Sequence, residues 1–248
     1  DGTARIAGTI VSGDGTLRVD GTLGWQGDDT PLVLNVTGTH VLAADTRDLN
    51  AVVAPDVVVR YQAGQPLEAT GTVTVESGRM DLERLDTGVS RSPDVVVLDP
   101  VDAKRGVQTP LSLDLTLVLP ERAVKLNGFG LDGALDGKLR VRQRPGSEII
   151  ASGALDVSGQ YKAYGQELEI SRGELTWSNS AIADPLLDIR AQREVGDVIA
   201  GIQVRGRATA PQAEVWSDPA MDKSEALSYL ALGRPLSTAS SAENRQLD

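Results

Sequence analysis

The chain has 248 residues, with 24 Lys+Arg against 35 Asp+Glu, so its net charge of −11 offers neither a basic face for nucleic acid nor a general attraction to anionic membrane surfaces. Cysteine is absent and histidine occurs once, as His40, which excludes disulfides, thiol catalysis, thiolate metal sites and multi-histidine metal sites. Hydrophobic residues make up 40% but aromatics only 3%, so the apolar mass is aliphatic, and no apolar run approaches the roughly 20 residues of a membrane-spanning helix.

The period along the chain is two, the signature of strands with one buried face. Leu17, Val19 and Leu23 alternate with Arg18, Asp20 and Thr22. Leu32, Leu34 and Val36 follow, and then Leu67, Ala69, Gly71, Val73 and Val75 between Glu68, Thr70, Thr72 and Thr74. From Asp86 to Gly106 charges and prolines (Pro93, Pro100) break the rhythm, which predicts a long insertion or a bend in the sheet, with Val95 to Leu98 as a short strand inside it. The clearest alternation is Leu111 to Leu119, interleaved with Ser112, Asp114 and Thr116. Further strands are predicted at Leu139 and Val141, Leu155 and Val157, Leu168 and Ile170, Leu187 and Ile189, and Val198 to Val204. Gly/Asp/Pro punctuation predicts tight turns at Ser12-Gly13-Asp14-Gly15, Gly27-Asp28-Asp29, Asp132-Gly133, Asp136-Gly137 and Arg144-Pro145-Gly146.

One stretch reads as a helix. Asp222 is placed to cap it, Glu225 to complete a capping box, and Met221 to staple onto Ala226. Leu227, Leu230 and Ala231 follow at helical spacing, and Gly233 stands where a C-terminal cap belongs. The segment after Pro235 is rich in Ser, Ala, Asn and Gln and predicts a disordered tail.

A sheet with one apolar face must cover that face, and helices are almost missing here. The pattern by itself suits a filled sandwich or barrel better than an open groove. An open aliphatic groove would hold a hydrocarbon chain by water exclusion alone, at roughly 0.8 kcal/mol per buried CH₂. Signals for chemistry are weak. His40 reads as a turn histidine, Asp28, Asp29 and Asp86 as solvated turn acids, and Trp25, Trp177 and Trp216 as rim packing near strand ends. There is no calcium loop and no phosphate-cradling glycine loop opening a helix. Neither an enzyme nor a cofactor is expected.

The last third carries more specific words. Gly159 to Ile170, Arg172 to Trp177, Asp184 to Ala191, Val204-Arg205-Gly206 and Pro211 resemble the C-terminal end of the TamB family. The strongest piece is Ser217-Asp218-Pro219-Ala220-Met221 with Glu225 to Leu230 and Gly233-Arg234. Trp177 departs from the pattern, which more often has Phe there. The motifs cover roughly residues 150 to 236; the β array upstream is compatible with the family but carries none of its words.

The resemblance implies an all-β chain: an elongated, curved, taco-like sheet with an apolar concave groove and one short C-terminal helix. It implies a periplasmic segment of a longer protein, held in the inner membrane by an N-terminal helix outside this sequence; the start at Asp1 rather than Met agrees with a fragment. It further implies membership of the AsmA-like, bridge-like lipid transporters, an outer-membrane barrel partner, TamA, and a part in assembling autotransporters and other outer-membrane proteins. On that basis residues 1–85 are a β-array segment of the periplasmic body, 86–106 an insertion or bend, 107–236 the C-terminal TamB domain and 237–248 a tail. Phospholipid acyl chains would lie against Leu113, Leu115, Leu117, Leu139, Val141, Leu155, Val157, Leu168, Ile170, Leu187, Ile189, Ile202 and Val204, as groove or core positions. Partner docking falls to Ser217, Asp218, Pro219, Leu227, Tyr229, Leu230, Gly233 and Arg234, with a helix that merely caps the sheet end as the alternative. The rival function is a chaperone-like module binding nascent outer-membrane strands by strand addition.

Overall fold

The computed structural model describes residues 2–27, 30–83 and 110–236. The expected acids Asp28, Asp29 and Asp86, the 86–106 insertion with its Val95–Leu98 strand, and the 237–248 tail lie outside the described residues.

The fold class is as the alternation predicts. The strands are β1 (Thr3–Ser12), β2 (Gly15–Gly24), β3 (Leu32–Thr39), β4 (Val41–Asp45), β5 (Leu49–Tyr61), β6 (Leu67–Asp81), β7 (Leu111–Gly128), β8 (Leu131–Gln143), β9 (Ile150–Ala163), β10 (Gln166–Ala181), β11 (Leu186–Val195), β12 (Val198–Arg207) and β13 (Gln212–Asp218). The one helix lying wholly within the described residues is α1 (Lys223–Leu232). All thirteen strands belong to one sheet in near-sequential order, with β4 set beside β5 off the main path. The path does not close: β1 stands at one end and β13 at the other. Among the described strands the sheet therefore does not close into a barrel.

Two compact units divide the chain, residues 1–118 with 140–150, and residues 119–139 with 151–248. In unit 1 the β1–β2 turn has Gly13 at φ 63, and Ser12 Oγ donates to the Leu42 carbonyl of β4 at 3.2 Å. Arg140 makes a bidentate pair with Asp114, Nε to Oδ1 at 2.7 Å and Nη2 to Oδ2 at 2.6 Å, and these hydrogen bonds hold the Asp114 carboxyl below its ordinary pKa. In unit 2 the Trp177 indole N–H donates to the Ile182 carbonyl at 3.0 Å, which anchors this buried ring.

Two local expectations fail. The Asp132-Gly133 and Asp136-Gly137 pairs are not turns; both lie inside β8. Gly137 sits at φ 130, and a Cβ there would meet the Ala154 carbonyl oxygen of β9 at 2.6 Å. These glycines let neighbouring backbones approach within the sheet. The hairpin turn is Phe129, at φ 50 between Gly128 and Gly130. The second failure is the capping box: Asp222 takes the N-cap position with φ −60 and ψ 148, but its side chain makes no cap hydrogen bond. Just before it, Ser217 Oγ accepts from the Met221 N–H at 3.2 Å, so the entry to the helix is fixed one residue earlier. Gly233 does cap the other end, at φ 70, with its N–H on the Tyr229 carbonyl.

Gly201 shows how tightly unit 2 is fitted. A Cβ there would fall on the Ala191 carbonyl oxygen and 2.7 Å from Trp216 Nε1. Gly201→Ala is expected to destabilise the chain by about 1–3 kcal/mol, read as a lowered denaturant midpoint; an unchanged midpoint would show that β12 and β13 can part at no cost.

Candidate functional site: an apolar face under a helix in one unit and part-exposed in the other

Strand register sorts the side chains of unit 1 into two faces, because directly paired residues share a face. One row runs Gly8, Val19, Val36, Val57 and Gly71 across β1, β2, β3, β5 and β6. The next runs Ile6, Gly21, Leu34, Val59 and Ala69, and the row beyond it Ala4, Leu23, Leu32 and Tyr61. The opposite face carries Thr9, Arg18, Thr37, Asp56 and Thr72 in one row, and an Asn35–Asp20 hydrogen bond at 3.3 Å in the neighbouring one. Polar residues are thus concentrated on one face of these five strands, with Ala7, Val33 and Val58 as apolar exceptions.

Among the described residues, none of the apolar side chains in these three rows of unit 1 is fully buried. Among the described residues, every buried apolar side chain except Val141 belongs to unit 2. Val19, Leu34, Val36, Val57 and Val59 all remain part-exposed. The chemistry available there is dispersion and water exclusion; the described residues contain no group of three or more His, Asp or Glu side chains placed to hold a metal.

Unit 2 repeats the same sorting. Leu175, Leu187 and Gly206 form one apolar row, Gly173, Ile189, Val204 and Ala213 the next, and Ile170, Ala191, Ile202 and Val215 a third. The reverse face holds a charged ladder in which Asp188 takes Arg172 Nε at 2.9 Å and Arg205 Nε at 3.4 Å. On that same face the Arg190 guanidinium lies 4.4 Å over the Trp216 ring, a cation–π contact.

Here, however, a cover exists. Leu230 of α1, with no exposed surface, joins Leu168, Ala191 and Ala200 in a closed cluster. Ile170, Ile202, Tyr161, Ala163, Leu227 and Tyr229 pack around it. Two side chains from the sheet hold the last turn of the helix: Arg193 Nη1 donates to the Leu230 carbonyl at 3.1 Å, and Gln166 Nε2 to the Ala231 carbonyl at 3.2 Å.

The sequence-predicted groove positions therefore fall in two groups. Leu139, Val141, Leu155, Val157 and Leu168 are buried by the chain itself. Leu113, Leu115, Leu117, Ile170, Leu187, Ile189, Ile202 and Val204 are part-exposed. The bare face of unit 1 lies outside that set, although Leu34, Val36, Val73 and Val75 stand out in the alternation. Of the docking segment, Asp218 and Pro219 are exposed and joined by a cis peptide bond. Leu230 is core, Leu227 and Tyr229 pack against it, Gly233 caps the helix, and the Arg234 carbonyl accepts from Ser228 Oγ at 2.8 Å. Ser217 is committed to the helix entry.

At the opposite end of β11 and β12 from this segment, the Asp184 carboxylate gathers the Thr209 N–H at 3.1 Å, the Thr209 hydroxyl at 2.9 Å and Arg207 Nη1 at 3.0 Å. The backbone bond from Thr209, then its hydroxyl and Arg207, lower the Asp184 pKa from its ordinary 3.8. A carboxyl with a depressed folded value stabilises fully above the unfolded value and loses that stabilisation as pH falls through the folded one. The Thr209 amide is therefore expected to lose hydrogen-exchange protection below pH 3.8; Asp184→Asn should remove that pH dependence.

Comparison with known proteins decides the family. The sequence model of the TamB C-terminal domain matches residues 4–247. The chain belongs to the TamB C-terminal domain family. The match reaches far upstream of the 150–236 words, so the β array of unit 1 is part of the TamB pattern. The translocation and assembly module subunit TamB of Haemophilus influenzae is 26% identical over 262 aligned residues, covering 96% of this chain. The chain spans 20% of that protein's length. Among the described residues, no helix is long and apolar enough to cross a membrane.

Proposed function

We propose that this chain is a periplasmic segment of a bridge-like lipid carrier, and that the bare apolar face of unit 1 carries phospholipid acyl chains. The observation that supports the reading most directly is that face: two apolar rows across five strands and a third across four, ending at Tyr61, with no fully buried apolar side chain among them. With the sheet curled so that the face lies inward, acyl chains run along the trough while headgroups stay in water at its mouth.

The rows suit passage better than tight binding. Successive strands are about 4.8 Å apart, so a chain moving across them meets near-equivalent Val, Leu, Gly and Ala contacts at every step. Full burial of a CH₂ is worth about 0.8 kcal/mol, and contact on one side gives a fraction of that. Many weak, similar positions keep the barriers between them low. Aliphatic rows select for hydrocarbon and against nothing else, so the segment needs no chemical step.

As a TamB-family chain it takes its place in the translocation and assembly module, anchored through the rest of its protein in the inner membrane and meeting TamA at the outer membrane. Within the TamB C-terminal domain, residues 1–85 serve as conduit body. The exposed Asp218 and Pro219 are the first candidates for the TamA contact, with Ser217, Leu227, Tyr229, Leu230, Gly233 and Arg234 shaping the helix behind them. Leu113, Leu115, Leu117, Leu187, Ile189 and Val204 extend the list of lipid-facing candidates.

The test is photo-crosslinking in cells. A photoreactive residue at Leu34 should yield phospholipid adducts, and one at Asn35, on the opposite face, should yield none. Adducts to outer-membrane barrel precursors alone would replace the conduit with the chaperone reading; adducts to neither would remove both.

A further inference from the structure

We propose that the sheet surface beneath α1 is a second acyl-chain site of unit 2, and that α1 occupies it when no lipid is there. This rests on the lipid reading of the unit 1 face. The rows Leu175–Leu187–Gly206 and Gly173–Ile189–Val204–Ala213 are part-exposed apart from Ala213, which is exposed, and the row Ile170–Ala191–Ile202–Val215 continues them on the same face. A hydrocarbon chain lying on the first two rows runs directly into α1 at the third. What α1 presents there is itself hydrocarbon: Leu230 against Leu168, Ala191 and Ala200. Helix and lipid tail make the same kind of contact on the same surface and cannot both make it.

The seat is built for something that arrives and leaves. Its floor combines the small side chains of Ala191 and Ala200 with Leu168, an aliphatic surface that a hydrocarbon chain could cover as Leu230 does. The helix has ten residues, no side-chain cap at its N-terminus, and sheet side chains on two carbonyls of its last turn, Arg193 on Leu230 and Gln166 on Ala231. A ten-residue helix has little stability of its own in water, so release from the seat and loss of helical order are coupled. Lipid bound under α1 would therefore free the linker from Pro219 to Asp222, while Asp218 stays paired with Ile199 at the end of β13, linking the loading of the face to the docking surface.

The chain has no cysteine, so an engineered pair is clean. Gln166→Cys with Ala231→Cys, bridged by a short bis-maleimide, ties α1 down where Gln166 already reaches the Ala231 carbonyl. The full chain, with a photoreactive residue at Ile170 or, separately, at Leu34, is mixed with phosphatidylethanolamine vesicles before and after bridging. The expected result is lipid adduct at both positions in the unbridged chain, and at least a tenfold loss at Ile170 on bridging with Leu34 unchanged. Equal labelling of Ile170 in both states overturns the proposal, because lipid then reaches the site with α1 in place. No labelling of Ile170 in either state while Leu34 reacts also overturns it, because α1 is then fixed core. Absence of adduct at Leu34 defeats the lipid reading itself, and this inference with it. A probe at Ile202 repeats the measurement if the Ile170 variant does not fold, as judged by tryptophan fluorescence.

Discussion

Val57→Asp is expected to abolish lipid labelling at Leu34, while Val58→Asp leaves it intact. The two valines are neighbours on β5 and both are part-exposed, but they face opposite ways. Val57 pairs with Val36 and Gly71 in the middle of the bare apolar side, and Val58 pairs with Asn35 and Thr70 on the polar side. Both substitutions lose the same β-branched side chain, so their effects on strand propensity are matched, at about 1 kcal/mol or less. In the lipid-free chain the Val57→Asp carboxylate is hydrated and costs little. Once an acyl chain lies over it, that water must leave, and stripping a carboxylate without a partner costs several kcal/mol. Each 1.4 kcal/mol is a factor of ten in occupancy, so labelling should fall a hundredfold or more. Equal labelling of the two variants, with equal denaturant midpoints, would show that lipid does not use this face.

The alternation, the strand positions and the helix with its Gly233 cap were legible in the residues because they follow from local chemistry. What failed locally is instructive. Asp136-Gly137 has the composition of a hairpin turn, yet Gly137 serves a close approach to Ala154 of β9, and that requirement comes from a neighbouring strand. Asp222 stands at the cap position, but Ser217 meets the need of the helix entry instead. The groove was legible as a face and illegible as a surface. Ile202 and Val57 look alike in sequence; one lies against the cluster around Leu230 and the other does not, because α1 returns from the end of the chain to unit 2. In β5 the alternation is also masked. Val52, Val53, Val57, Val58 and Val59 place apolar residues on both faces, and the register shift between Val52 and Val53 breaks the period. Leu34, Val36 and Val73 carried the usable signal for the bare face.

Leu230→Asp is expected to detach α1 from the sheet. Leu230 is fully enclosed, with Leu168 and Ala200 equally sealed beneath it. Truncating a buried leucine costs about 2–5 kcal/mol, and a carboxylate in its place adds the cost of an unpaired charge. The Arg193 and Gln166 bonds to the last turn each contribute about 1 kcal/mol and cannot offset that loss. The aspartate cannot remain seated, so the helix must leave, and alone it is too short to persist. The signature is local: reduced helical circular dichroism, loss of exchange protection at the Ala226 and Gly233 amides, and strand protection retained across β10 to β12. Leu227→Asp, at a part-exposed position on the same helix, should have a much smaller effect, because that side chain can turn toward water. If Leu230→Asp kept the wild-type helical signal and amide protection, the enclosed cluster would not be what holds α1 on the sheet.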